Sequence, residues 1–76
     1  MKEIFVTVRI RDIENDLKIP CDIKPSELLN CISTAFKISL PQTARVQAEP
    51  AGRMLNNGFA LSEQGVENGA LLTVIL

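Results

Sequence analysis

The chain has 76 residues, 46% of them hydrophobic, with three Phe and no Tyr or Trp. That is length for one domain, residues 1–76, built on an aliphatic core and too apolar to stay disordered. Eight Lys and Arg against nine Asp and Glu give a formal charge of −1, with no run of either sign, which argues against a nucleic-acid binder and its usual basic face. His is absent, so the commonest general base and metal ligand is missing.

No apolar run exceeds three residues, far short of the roughly 20 that a membrane span needs. The opening Met1-Lys2-Glu3 leads into alternation rather than into an apolar signal region. The expectation is a cytoplasmic protein that does not insert into a membrane.

The first element is a strand. Ile4, Val6, Val8 and Ile10 alternate with Phe5, Thr7, Arg9 and Arg11, the period of a sheet with one buried face. Residues 12–16 are polar and read as a turn. Alternation resumes with Leu17, Ile19 and Cys21 inward. Pro20 cannot donate to a ladder, so this second strand lies at an edge or turns that position away from its partner. Together the two strands predict an antiparallel hairpin.

The period then changes. Leu28, Leu29, Ile32, Ala35 and Phe36 recur at helical spacing, predicting a helix over residues 26–37, with Ser26 as N-cap, Glu27 in the first turn and Lys37 in the last. Residues 44–48 alternate again as a third strand. Turn chemistry at residues 49–52 precedes a brief strand at residues 53–55. Asn56-Asn57-Gly58 reads as a turn in which Gly58 or Asn57 takes positive φ, and residues 61–66 as one helical turn capped by Ser62. After a turn at Asn68-Gly69, residues 71–76 form a dense apolar strand, the signature of a central position.

Two strongly apolar terminal strands lie side by side if both are central, and the intervening helix makes them parallel. The architecture is α+β: a mixed sheet of four to five strands packed on one helix, the β-grasp. Its core is expected to hold Ile4, Val6, Val8, Leu17, Ile19, Leu29, Ile32, Phe36, Val46, Leu61, Leu72 and Val74.

Leu55, Asn57-Gly58, Leu61-Ser62-Glu63, Val66, Leu72 and Val74 follow one another as in ubiquitin, and Ile4-Phe5-Val6 looks ubiquitin-like too. More closely, the chain resembles the EsaB/YukD family, the small ubiquitin-like proteins of bacterial type VII secretion systems. The matching residues are Asp16-Leu17-Lys18-Ile19-Pro20, Pro25 leading into Leu28-Leu29, and Val66-Glu67-Asn68-Gly69-Ala70-Leu71; Asn68 stands where that family often has Asp. The resemblance implies a non-enzymatic accessory or regulatory subunit that docks on a cytosolic domain of the secretion apparatus. The alternative is a free-standing ubiquitin-like adaptor binding another cytosolic protein. The sequence ends at Leu76 without the Gly-Gly tail of ubiquitin and the sulfur carriers, so C-terminal conjugation is not expected. Gln47 stands at ubiquitin's central hydrophobic-patch isoleucine, whereas Ile75 keeps another patch position apolar.

No catalytic, cofactor or metal site is expected. Cys21 and Cys31 are the only thiols, both expected buried as small hydrophobes; with no His and no paired-cysteine spacing, a disulfide, a metal site or catalysis is the lesser reading. Asp12, Glu14 and Asp16, like Glu63 and Glu67, read as solvated turn carboxylates, and the four Gly as turn formers. What remains is the outward sheet face, where Phe5, Arg9, Arg45, Gln47 and Ile75 are the expected partner-binding residues, with Thr7, Lys18 and Thr73 beside them. Apolar side chains flanked by Arg suit a docking surface, although single exposed apolar residues are ordinary on any protein.

Overall fold

In the computed structural model, which describes residues 2–50 and 52–76, five strands form one sheet in the order β2-β1-β5-β3-β4. The strands are β1 (Glu3–Ile10), β2 (Ile13–Pro20), β3 (Arg45–Glu49), β4 (Arg53–Met54) and β5 (Ala70–Ile75). Helix α1 (Pro25–Phe36) follows the first hairpin, and a 3-10 turn (Ser62–Gln64) precedes β5. β1 and β5 pair in parallel at the centre; β1 with β2, β3 with β5 and β3 with β4 are antiparallel. This is the expected α+β mixed sheet with one helix, with the terminal strands adjacent and parallel.

Alternation decides which face is buried. Ile4, Val6, Val8 and Ile10 of β1, Leu72 and Val74 of β5 and Val46 of β3 point to one side, where Leu28 and Ile32 of α1 meet them. Leu55, Leu61 and Val66 close the core from the connecting segments. Main-chain bonds from the Leu61 and Ser62 amides to the Ile23 and Cys21 carbonyls, at 2.8 and 2.9 Å, tie the 3-10 turn to the end of the hairpin.

The packing corrects the expected core in several places. Leu28 rather than Leu29 is the fully buried leucine of α1, because Leu28 is in helical phase with Ile32 and Leu29 sits at the margin of that stripe. Leu17, Leu29 and Phe36 are only partly buried, whereas Ile10, Ala44, Leu55 and Val66 belong to the core. Cys21 packs inward as expected, but Cys31 is exposed on the outer side of α1, so it is not a core residue; both thiols are free.

The hairpin is tighter than its polar stretch suggests. Ile10 pairs with Ile13 across a two-residue turn, Arg11-Asp12, with Arg11 at φ 56°, so residues 13–16 are strand and not turn. All four are exposed, so this stretch of the edge strand meets water on both faces and its polarity costs nothing. At α1 the N-cap is Lys24, not Ser26, because Pro25 occupies the first helical position, where it lacks no needed donor. Glu27 then reaches back and accepts from the Lys24 amide at 2.9 Å. The helix ends one residue earlier than expected: Lys37 is the C-cap, left-handed at φ 55°.

β3 is shifted by one residue from the expected 44–48, and Leu55 lies just past β4, its amide bonded to the Val46 carbonyl at 2.8 Å. Ala51, inside the turn expected at residues 49–52, lies outside the described residues. Neither Asn57 nor Gly58 takes positive φ; instead the Asn56 Oδ1 accepts from the Gly58 amide at 2.7 Å, and the side chain makes the turn. The 3-10 turn is preceded by Leu61 rather than capped by Ser62. Gly69, at φ 89°, allows the reversal into β5.

Candidate docking face

All of the packed helix lies on one side of the sheet, so the other side is open. Two rows of side chains cross it from strand to strand. One is Gln47, Thr73, Arg9 and Glu14; the other is Glu49, Leu71, Thr7 and Asp16. Arg45 lies opposite Ile75 at one end, and Phe5 opposite Lys18 at the other. Met54 of β4 extends the first row beside Gln47.

Phe5, Arg9, Arg45, Gln47 and Ile75 thus share one face, as their strand phase requires, but they are not one cluster. Ile75 sits one position beyond the Ile10–Val74 pair, so Phe5 lies six residues back along β1, about 20 Å away at strand rise. The Arg45–Ile75 row and the Phe5–Lys18 row are opposite ends of a face whose middle is Thr7, Arg9, Leu71 and Thr73.

Most charged groups on this face already have partners. The Arg9 Nη2 donates to the Thr73 Oγ1 at 3.1 Å, and its Nη1 lies 3.7 Å from a Glu14 carboxylate oxygen. The Thr7 hydroxyl donates to the Asp16 Oδ1 at 2.7 Å, and the Gln47 amide to the Glu49 Oε1 at 2.7 Å. Lys18 stands 5.9 Å over the Phe5 ring and 3.5 Å from Glu3. These bonds hold the polar side chains in fixed positions at little net energy, since exposed pairs contribute little. Arg45 behaves differently: its Nη2 donates to the Leu55 carbonyl at 2.8 Å and its Nε is buried without a partner. Arg45 fastens the segment after β4 more than it offers a free fork.

Among the described residues, four apolar side chains remain available between these polar groups: Phe5 at 56% exposed, Met54 at 43%, and the half-buried Leu71 and Ile75. Leu71 and Met54 are absent from the expected set. Leu71 was legible, since it is in phase with Thr73 and Ile75; Met54 was not, because a two-residue strand has no period to read. A second apolar feature lies on the helix side, where Ile10, Ile13, Phe36 and Ile38 line a groove of about 340 Å³ between the hairpin tip and the end of α1.

Among the described residues no group of three or more His, Cys, Asp and Glu is placed to hold a metal ion, and no helix is long and apolar enough to cross a membrane. The face has the means to bind: apolar contacts and fixed donors and acceptors.

No protein-family model and no curated protein sequence matches the chain. Solved structures do. One, described as molecular mimicry of SUMO that promotes DNA repair, superposes with a TM-score of 0.88 at 25% identity, over 100% of this chain and 94% of that one. The ubiquitin-like domain of an Arabidopsis thaliana protein gives 0.82 at 18% identity, over 100% and 79%. Caldiarchaeum subterraneum ubiquitin gives 0.79 at 17%, over 97% and 92%. These likenesses agree with the parallel central strands, the single helix and the 3-10 turn before the last strand: the chain has the ubiquitin-like β-grasp fold.

Proposed function

We propose that this domain is a non-enzymatic docking module that binds a protein through the open face of its sheet. We further propose that it serves as an accessory or regulatory component of a bacterial type VII secretion system in the cytoplasm. The observation that carries the docking reading is the uncovered face itself: Phe5, Met54, Leu71 and Ile75 stand among side chains whose positions are fixed by their own bonds.

The secretion assignment is supported by the residues that resemble the EsaB/YukD family: Asp16 to Pro20, Pro25 ahead of Leu28-Leu29, and the run from Val66 to Leu71. The structure gives Asn68, the departure from that pattern, a specific task. Its Oδ1 accepts from the Phe5 amide at 2.8 Å, which an Asp carboxylate would do equally. The partner proposed is a cytosolic domain of the secretion apparatus, with an apolar patch and polar rim complementary to this face.

Leu71→Ala combined with Met54→Ala trims two of the anchors and leaves the core residues in place. Expressed in the native cells, this variant is expected to fold normally by circular dichroism and to lower secretion of the system's substrates at least tenfold. A folded variant with unchanged secretion contradicts the reading. If the variant loses a cytosolic partner while secretion is untouched, the protein is an adaptor outside the secretion system.

A further inference from the structure

Among the described residues the sheet has an unpaired side at β2, which bonds only to β1. The Cys21 amide donates to the Lys2 carbonyl at 2.9 Å, and this sets the parity of the hairpin. Odd-numbered residues of β2 turn their main-chain groups to β1, and Glu14, Asp16, Lys18 and Pro20 turn theirs outward. Side chains at Asp12, Ile13, Glu14, Asn15, Asp16 and Lys18 are exposed, so no described residue covers this edge. Ile13 is 63% exposed and Leu17 half-buried, both on the helix side of the strand. An eight-residue edge with free ladder groups and apolar side chains is the kind of edge that pairs with another chain.

Charge selects the occupant. We propose that β2 pairs antiparallel with β2 of a second copy, about a two-fold axis through Leu17. In that register Asp16 lies opposite Lys18 of the second copy, and Lys18 opposite its Asp16, while Leu17 meets Leu17. Centring one residue earlier places Asp16 against Asp16, one residue later Lys18 against Lys18, and on Asn15 Glu14 against Asp16 twice. Of these four registers, which pair the most of β2, only the one on Leu17 avoids a like-charge pair, and directly opposed like charges destabilise a sheet.

In this arrangement Asp16 and Lys18 exchange main-chain bonds with their counterparts, and the Glu14 amide reaches the Pro20 carbonyl. Pro20, with no N–H, ends the ladder at each side, and the pairing closes at two copies because each spends its one β2 edge on the two-fold contact. The two-fold axis stands perpendicular to the sheet. Both open faces therefore lie on one side and both helices on the other. The inference extends beyond the docking reading and leaves that face free, doubling it for a bivalent partner. Edge pairing of this length buries little area, so the association belongs to the weak, concentration-dependent class.

Sedimentation equilibrium between about 10 µM and 1 mM tests it. The wild-type chain is expected to dimerise in that range, and Asp16→Lys or Lys18→Asp alone to weaken the dimer by roughly tenfold, since each sets two like-charge pairs across the strands. An equimolar mixture of the two single variants is expected to associate as tightly as the wild type, because each supplies the charge the other lacks. A purely monomeric wild type, single variants that dimerise unchanged, or a mixture that stays monomeric overturns the proposal. Should either variant fail to fold, an isotope-filtered NOE between Leu17 methyls of two wild-type copies decides: its presence is expected, and its absence, or NOEs that place Phe5 or Ile13 at the contact instead, overturns it.

Discussion

Several single side chains in this domain replace main-chain bonds that the short chain cannot otherwise complete. Gln64 is the densest example: its Oε1 accepts from the Asn56 amide at 2.7 Å, and its Nε2 donates to the Asn56 and Phe59 carbonyls at 2.8 and 3.0 Å. One amide group thereby shapes the segment between β4 and the 3-10 turn. Asn68 does the same at the other end, where its Oδ1 takes the Phe5 amide and the Gly69 amide donates to the Phe5 carbonyl at 2.7 Å. Asn68→Ala is expected to cost about 0.5–1.5 kcal/mol, the usual net value of one hydrogen bond, while Asn68→Asp keeps the acceptor and stays near wild type. Urea unfolding of the two variants checks this; equal losses in both would show that the bond contributes nothing. Roles of this kind were only half legible. Asn68 reads as a turn residue from its type and its Gly neighbour, but the distant amide that it satisfies is set by the parallel pairing of β1 and β5, which no local pattern records.

Legibility of the strands and helix followed how strongly each buries one face. β1 and β5 show clear alternation because the sheet's centre is packed along their whole length, and both were readable with their mutual direction. In α1 the stripe was readable, but its phase was not. Leu28 and Leu29 are adjacent, and only the position of Ile32 over the sheet shows that Leu28 is inside. β2 was read short because an edge strand needs only one apolar side chain in two, and at Ile13 even that one stands in water. Lys24 was missed as the cap because Lys has no capping acceptor; the signal lay in Pro25 followed by Glu27 two positions on. Ile32, with no exposed surface, sits where α1 crosses the sheet. Ile32→Ala is expected to destabilise the domain by about 2–5 kcal/mol, a large share of the stability of so small a core. Thermal unfolding measures it, and a loss under about 1 kcal/mol would mean that the helix does not pack where it is placed.

In the whole molecule, one helix covers one side of a five-stranded sheet and leaves the other to water. The docking residues expected from the sequence fell on that side because strand phase alone assigns a face. Their spacing did not follow, because distance along a face depends on register between strands far apart in sequence. Phe5 and Ile75, both outward, are consequently at opposite ends. The middle of the face belongs to Thr7, Arg9, Leu71 and Thr73, and a partner of modest size would engage it there. The most direct test is a titration of the isotopically labelled domain with the purified cytosolic domains of the secretion apparatus, followed by amide chemical shifts. Shifts on the open face, strongest at Thr7, Arg9, Gln47, Met54, Leu71 and Thr73 and reaching Phe5 or Ile75 at its ends, with α1 unmoved, are the predicted result. Shifts centred on the exposed side of α1, at Asn30, Cys31 and Thr34, or no shifts at saturating concentration, would contradict it.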